Sequence, residues 1–208
     1  MRQTESFRRC LIAIALAMAL LAWPAASIAQ LSTAPTVVGN ASAARVSVLG
    51  ALGTATTTVL ADTGPLGGIN DARDASTDTG SVPSVLAGEV LSAGTISWPD
   101  EVDSVASLAN LNVNVAGVGI TADLIVARAS QVLGAAGSGS SSLDNLSING
   151  IPVTVTGAPN QAVWIPGGQV IINEQTISST GTAVVNALHV AVTGVANVVI
   201  ASATAGIS

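Results

Sequence analysis

Asn145-Leu146-Ser147-Ile148-Asn149-Gly150-Ile151-Pro152-Val153-Thr154 is the stretch whose reading decides the fold. Asn149-Gly150 is the strongest short signal for a two-residue hairpin, because both residues accept the positive φ of a type I′ turn. With the turn placed there, Ile148 pairs with Ile151 and Leu146 with Val153, so four apolar side chains share one face. Asn145, Ser147 and Thr154 take the other face, the pattern of a half-buried antiparallel pair. Pro152 has no N–H to give a ladder, so the outer side of its strand is an edge or a bulge.

Working outward toward the C-terminus, a second hairpin is expected over Val163–Ile172, turning at Gly167-Gly168. That register sets Trp164 against Ile171 and Ile165 against Val170, with apolar residues on both faces and hence cover on both. Two further strands, Val184–Val192 and Val195–Ala203, turn near Thr193-Gly194. Val, Thr and Ala dominate them, and β-branched crowding makes a helix the poorer reading.

In the other direction, 134–142 is a run of Gly, Ser and Ala that reads as a linker between residues 30–133 and 143–208. Leu111, Val113 and Val115 alternate with Asn110, Asn112 and Asn114, and Val118 to Val126 continue with the same period of two. Thr63 to Pro83 is polar and turn-rich and is expected to be a long loop, while 30–44 reads as an extended lead-in. Asn110-Leu111-Asn112-Val113-Asn114 echoes Asn145-Leu146-Ser147-Ile148-Asn149. Leu124-Ile125-Val126-Ala127-Arg128-Ala129-Ser130 likewise echoes Val198-Val199-Ile200-Ala201-Ser202-Ala203. The predicted fold is an all-β, antiparallel sandwich of two related halves; a short β-solenoid is the alternative, and would need a stricter repeat.

The first residues read as a signal peptide rather than as part of the fold. Arg2, Arg8 and Arg9 precede an apolar run from Leu11 to Ala22, and Ser27-Ile28-Ala29 offers small residues at −3 and −1. Cleavage is expected after Ala29, which makes 1–29 a leader and 30–208 one exported domain. The run is too short to span a bilayer comfortably, which takes about 20 residues. With the leader go the single Cys, the single Phe and both Met, and the chain has no Tyr. What remains has Arg45, Arg73 and Arg128 against eleven Asp and Glu, a net of −8. Such a surface repels nucleic acid and anionic membrane, which leaves self-association or a cell-surface or matrix partner. Without cysteine no disulfide staples the domain, and a core of Val, Ile, Leu and Ala must hold it.

Asn145-Leu146-Ser147-Ile148-Asn149-Gly150, Pro159-Asn160, Asn173-Glu174-Gln175, Val185-Asn186-Ala187-Leu188-His189-Val190 and Val199-Ile200-Ala201-Ser202-Ala203-Thr204-Ala205-Gly206 make up a C-terminal pattern. That pattern resembles a family of bacterial exported proteins, the choice-of-anchor P family. The resemblance implies a surface or exported β protein whose relatives carry differing C-terminal anchors. It implies no enzymatic activity and transfers no site residues.

Candidate chemistry is sparse. Asp62-Thr63-Gly64 and Asp78-Thr79-Gly80 match the aspartic-protease motif, but two copies so close cannot come from two lobes, and Asp and Gly are ordinary turn residues. Asp71, Asp74 and Asp78 offer carboxylates for a calcium ion, although their spacing is not that of an EF-hand and Arg73 sits among them. A solvated acidic loop is the preferred reading. His189 is the only His; Glu174 is the one acid after Asp144 that can reach it, and a structural hydrogen bond is favoured because no nucleophile motif accompanies it. Trp98 and Trp164 suit sugar stacking if exposed and core packing if buried, and core packing is preferred. The expected function is therefore non-enzymatic: a structural, adhesive or matrix protein of the bacterial envelope or exterior. The alternatives are a secreted module for calcium or carbohydrate and, remotely, a hydrolase.

Overall fold

A computed structural model describes residues 34–50 and 53–208, and the expected leader lies outside them. Among the described residues thirteen strands run in chain order. They are β1 (Val37–Leu49), β2 (Ala55–Asp62), β3 (Ala72–Val82), β4 (Leu86–Ser97), β5 (Glu101–Val115), β6 (Val118–Val132), β7 (Ser138–Asp144), β8 (Ser147–Ile148), β9 (Ile151–Pro152), β10 (Gln161–Ile165), β11 (Gly168–Ile177), β12 (Ala183–Val192) and β13 (Ala196–Ile207). They form two antiparallel sheets packed face to face. The first has the order β10-β11-β12-β13-β1-β2; the second has β3-β4-β5-β6-β8-β9, with β7 pairing the other stretch of β6. The all-β sandwich expected from the sequence is the fold, and it is not a solenoid.

The chain path is a meander that changes sheet twice, after β2 and after β9, and closes when β13 pairs with β1. The two halves expected on either side of 134–142 do not correspond to the two sheets, because the first sheet takes strands from both ends of the chain. Nor is 134–142 a linker, since Ser138–Asp144 form β7. Gly139 allows this close packing, because a Cβ there would collide with Val185 of β12. The lead-in over 30–44 is likewise mostly strand from Val37 onward, and the polar stretch 63–83 is a loop only as far as Asp71. Gly, Ser and Thr mark turns by propensity, but an edge or a tight sheet contact needs small residues too.

Across the sandwich, β2 faces β3 and β4, β1 faces β4 and β5, β13 faces β5 and β6, and β12 faces β6 and β7. The core between them is built from small aliphatics: Leu108, Ile120, Ile125, Ile172, Leu188 and Ile200 are fully buried among many alanines. Polar ties also cross it. Ser104 Oγ donates to Thr204 O at 2.6 Å, and Ile207 N donates to Gln131 Oε1 at 2.9 Å. Each partner satisfies a group whose burial alone would be costly.

One feature breaks the alternation in both sheets. In the first sheet the ladders skip Ala61, Ala43, Ala201, Ala187 and Asn173, which adjoin across five strands. Ala61, Ala201 and Asn173 have positive φ of 47°, 51° and 54°. At this crease two successive residues of a strand point inward, as with Ala43 and Ala44, Ala187 and Leu188, and Ile200 and Ala201. Doubling the inward side chains leaves room for little beyond alanine, which explains the Ala row. The second sheet has its own crease at Val90, Asn110 and Asn145, with φ of 49°, 50° and 54°. The period of two therefore does not run on from Val118 to Val126: Ile120 and Ala122 point inward, then Ile125 and Ala127, while Leu124 is exposed. The echo between Asn110–Asn114 and Asn145–Asn149 gains a physical meaning here, since each copy opens on a left-handed Asn. The echo between 124–130 and 198–203 is met only in part: its burial is out of phase over the first three residues and in phase from Ala127 and Ala201 onward.

The Asn149-Gly150 hairpin is confirmed. Both residues have positive φ, Ile148 pairs with Ile151, and Val153 N donates to Leu146 O at 2.9 Å. Its burial differs from expectation. Leu146 and Ile148 are buried, but Ile151 is 69% exposed because β9 lies beyond the reach of the opposite sheet. The second hairpin is shifted by two: Trp164 pairs with Gln169 and Ile165 with Gly168, so the turn is Pro166-Gly167. Proline's fixed φ followed by a φ of 75° at Gly167 is the type II combination. This pair is not covered on both faces, since Trp164 is 79% exposed.

Candidate groove on the outer face of the second sheet

Five strands lay their outward residues in register on the outer face of the second sheet. Asp74, Gly94, Val105, Arg128 and Ser140 form one row from β3 to β7. Ala72, Ile96, Asp103, Ser130 and Ser138 form the row beside it. Gly94 has no side chain to fill its place in the first row between Asp74 and Val105, and a groove of about 720 Å³ opens there. Asp74, Asp103 and Arg128 line it, with Ser130 Oγ and Ser138 Oγ 3.0 Å apart. None of the three charged groups is in an ion pair among the described residues. Trp98 N donates to Glu101 O at 2.8 Å, which continues the β4–β5 ladder and makes Trp98 the next residue along the same strand face after Ile96. Trp98 is half-exposed and is not the core pillar expected of it. On the other side of the groove lies a row of hydroxyls, Ser76, Ser92, Ser107 and Ser142, interrupted by Val126.

The structure does not gather Asp71, Asp74 and Asp78 into a calcium site, and no group of three acidic, His or Cys side chains fit for a metal occurs among the described residues. Asp74 and Asp78 are separated along β3, where side chains on one face are spread by the strand rise. Asp71 instead closes a local loop. Gly67 N donates to its Oδ2 at 2.7 Å and Arg73 Nε does so at 3.0 Å, and these bonds, the Gly67 amide first, hold its carboxyl below the usual range. Asp62-Thr63-Gly64 is a turn. Asp62 Oδ1 accepts from Asn40 Nδ2 and from Gly64 N, and Thr63 Oγ1 accepts from Ala41 N. Asp78-Thr79-Gly80 lies within β3 and so is strand rather than turn.

The expected Glu174–His189 contact is present, on the outer face of the first sheet. His189 Nδ1 lies 3.0 Å from both Glu174 oxygens, and Asn186 Nδ2 donates to Glu174 Oε2 at 2.6 Å. The three residues straddle the crease, with Glu174 opposite Asn186 and His189 one step past it. His189 Nε2 is buried and has no hydrogen-bond partner among the described residues. Neighbouring residues complete the clamp: Asn173 Nδ2 donates to Gly157 O at 3.1 Å, and Gln175 Nε2 donates to Gly139 O at 3.0 Å across to β7. Asn173-Glu174-Gln175 therefore pins the crease at three points, a structural role.

The groove was not read from the sequence. Its residues are scattered over five strands, and the only sequence trace is that Arg73 and Arg128 both border it in a chain with few cations. Comparison with protein-family models, with curated proteins and with solved structures finds no match for this chain.

Proposed function

We propose that the chain is an exported, non-enzymatic structural or adhesive protein of the bacterial envelope or exterior, as its resemblance to the choice-of-anchor P family implies. The observation that carries the reading is the outer face of the second sheet, where a serine row borders a groove holding unpaired Asp74, Asp103 and Arg128. Short hydroxyls offer both donors and acceptors and lose little side-chain entropy when they are held at a contact. A face of this kind suits a hydrated, extended polymer such as a polysaccharide. The same groove favours a second reading, a secreted carbohydrate-binding module, because Trp98 lies at its end and presents a stacking surface. The calcium version of that module loses its support, since its three carboxylates are kept apart.

Two measurements test the proposal together. Mass spectrometry of the protein recovered from the periplasm or medium should show a chain beginning at Gln30. Retention on envelope or matrix polysaccharide should fall at least about tenfold in Asp103→Ala/Arg128→Ala, the scale of loss for central contacts. A cell-retained product still bearing Met1, or retention indifferent to those changes, overturns it.

A further inference from the structure

The first sheet ends at β10, a strand with no partner on its outer side among the described residues. Edge strands that stay monomeric are blunted by charge, proline or cover. Three other edges are treated in that way: β3 carries Arg73, Asp74 and Asp78, β9 ends on Pro152, and the Gly139 carbonyl of β7 is taken by Gln175, whereas β2, the far edge of the first sheet, carries only Asp62 at its end. Gln161 ties the start of β10 to the preceding segment, with Nε2 donating to Thr154 O at 2.8 Å and Oε1 accepting from Thr156 N at 2.8 Å. Beyond it, Ala162-Val163-Trp164-Ile165 is left bare. Among the described residues no strand of the second sheet packs closely beneath β10, and Val163 and Ile165 are only half-buried. Trp164 and Ile151, on the same side of the sandwich, are the two most exposed large apolar side chains described.

We infer that β10 is the self-association edge of this protein, and that its occupant is β10 of a second copy, antiparallel across a two-fold axis at Val163. Two observations select a second copy. The first is charge: the chain carries a net −6, yet no Asp, Glu, Lys or Arg occurs between Asp144 and Glu174, so like copies approach here without repulsion. The second is self-complementarity. An axis at Val163 sets Trp164 of each copy against Ala162 of the other, the largest side chain over the smallest on the outer face. On the inner face Val163 meets itself and Ile165 meets Gln161. Aromatic and β-branched cross-strand pairs of this kind stabilise a sheet, and an isologous contact closes after two copies. Joining two six-stranded sheets makes one continuous sheet and moves Trp164 out of water.

Sedimentation velocity of the full chain over a concentration series, with amide hydrogen exchange on the same samples, tests the inference. A monomer–dimer equilibrium is expected, with exchange at 162–165 slowing as dimer accumulates. Trp164→Ala and Ala162→Asp should each raise the dissociation constant at least about tenfold, as for an aromatic anchor at an interface centre. Both sites are exposed, so melting temperatures should hold, and Thr57→Lys on the opposite edge should leave association intact. A monomer at every concentration, open filaments, or a dimer without protection at β10 overturns it. These outcomes do not bear on polysaccharide retention, which is read on the other sheet.

Discussion

Ile120, Ile148 and Ile151 are neighbours in one cross-strand row, on β6, β8 and β9. They are the same residue type on the same face of the same sheet, yet their exposures are 0%, 9% and 69%. Nothing in the local sequence separates them. The row simply runs out from under the opposite sheet, and the third isoleucine meets water. Alternation in a sequence thus reports which residues share a face. It does not report whether anything covers that face.

The comparison breaks most visibly at its buried end. Ile120→Ala should cost about 3–4 kcal/mol, the loss for a buried aliphatic plus the cavity it leaves, and Ile148→Ala should cost less. Chemical denaturation of both variants checks the order, and equal losses would mean that the coverage is not graded as described. Ala201→Val should follow at about 2–3 kcal/mol, because a β-branched residue at positive φ is added to a crease with no spare volume. If Ala201→Val melts like the parent, the crease is not the tight line drawn here.

A smaller loss, about 1 kcal/mol, is expected for His189→Ala, which removes one arm of the clamp on Glu174 from a partly buried site. The same denaturation series measures it, and Glu174→Gln should lose less if Asn186 can still donate. At the exposed end of the row, Ile151→Ala should change stability by under about 0.5 kcal/mol, as surface substitutions usually do. A cost near that of Ile148 would place β9 under cover.

The smallest effect belongs to Asp71. Its carboxyl is held below the unfolded value of 3.8 by the Gly67 amide and Arg73, so its contribution is present above that value and fades as pH falls through the lower folded one. The loop at 67–73 is exposed, and only local loosening is expected. The protection of the Gly67 amide, its exchange rate relative to the intrinsic rate at the same pH, should fall between neutral pH and acid, and Asp71→Asn should remove that fall.

Much of the fold was legible because hairpins are local. Asn149-Gly150 announces its turn through two left-handed residues and Thr193-Gly194-Val195 through Gly194 alone, and the strands they join are set by parity. Pro166-Gly167 was missed by one position because three residues in a row, Pro166, Gly167 and Gly168, all carry turn propensity. Only the backbone contact of Gly168 with β12 shows which of them belongs to the strand. The Asp-rich stretch misled for a related reason: Ser, Thr and Asp over 72–82 signal a loop, but an edge strand exposed along most of its length uses the same residues. Of the candidate sites, the Glu174–His189 pair was the one the sequence could name, since it offered a single acid for a single histidine.

By itself the sequence determined the class, the local pairings and the chemistry available: an all-β chain, poor in charge, without large aromatic mass, whose hairpins follow from left-handed turn residues. Tertiary structure decided the rest. The crease is invisible in one strand, because alanine at positive φ has no signature until five strands align it. The groove exists only once Asp74, Gly94, Val105, Arg128 and Ser140 share a row, and the burial of each isoleucine depends on how far the facing sheet extends. The physical reason is common to all three. Turn geometry is a property of consecutive residues, whereas burial and shape depend on what the opposite sheet and the neighbouring strands bring to the same place.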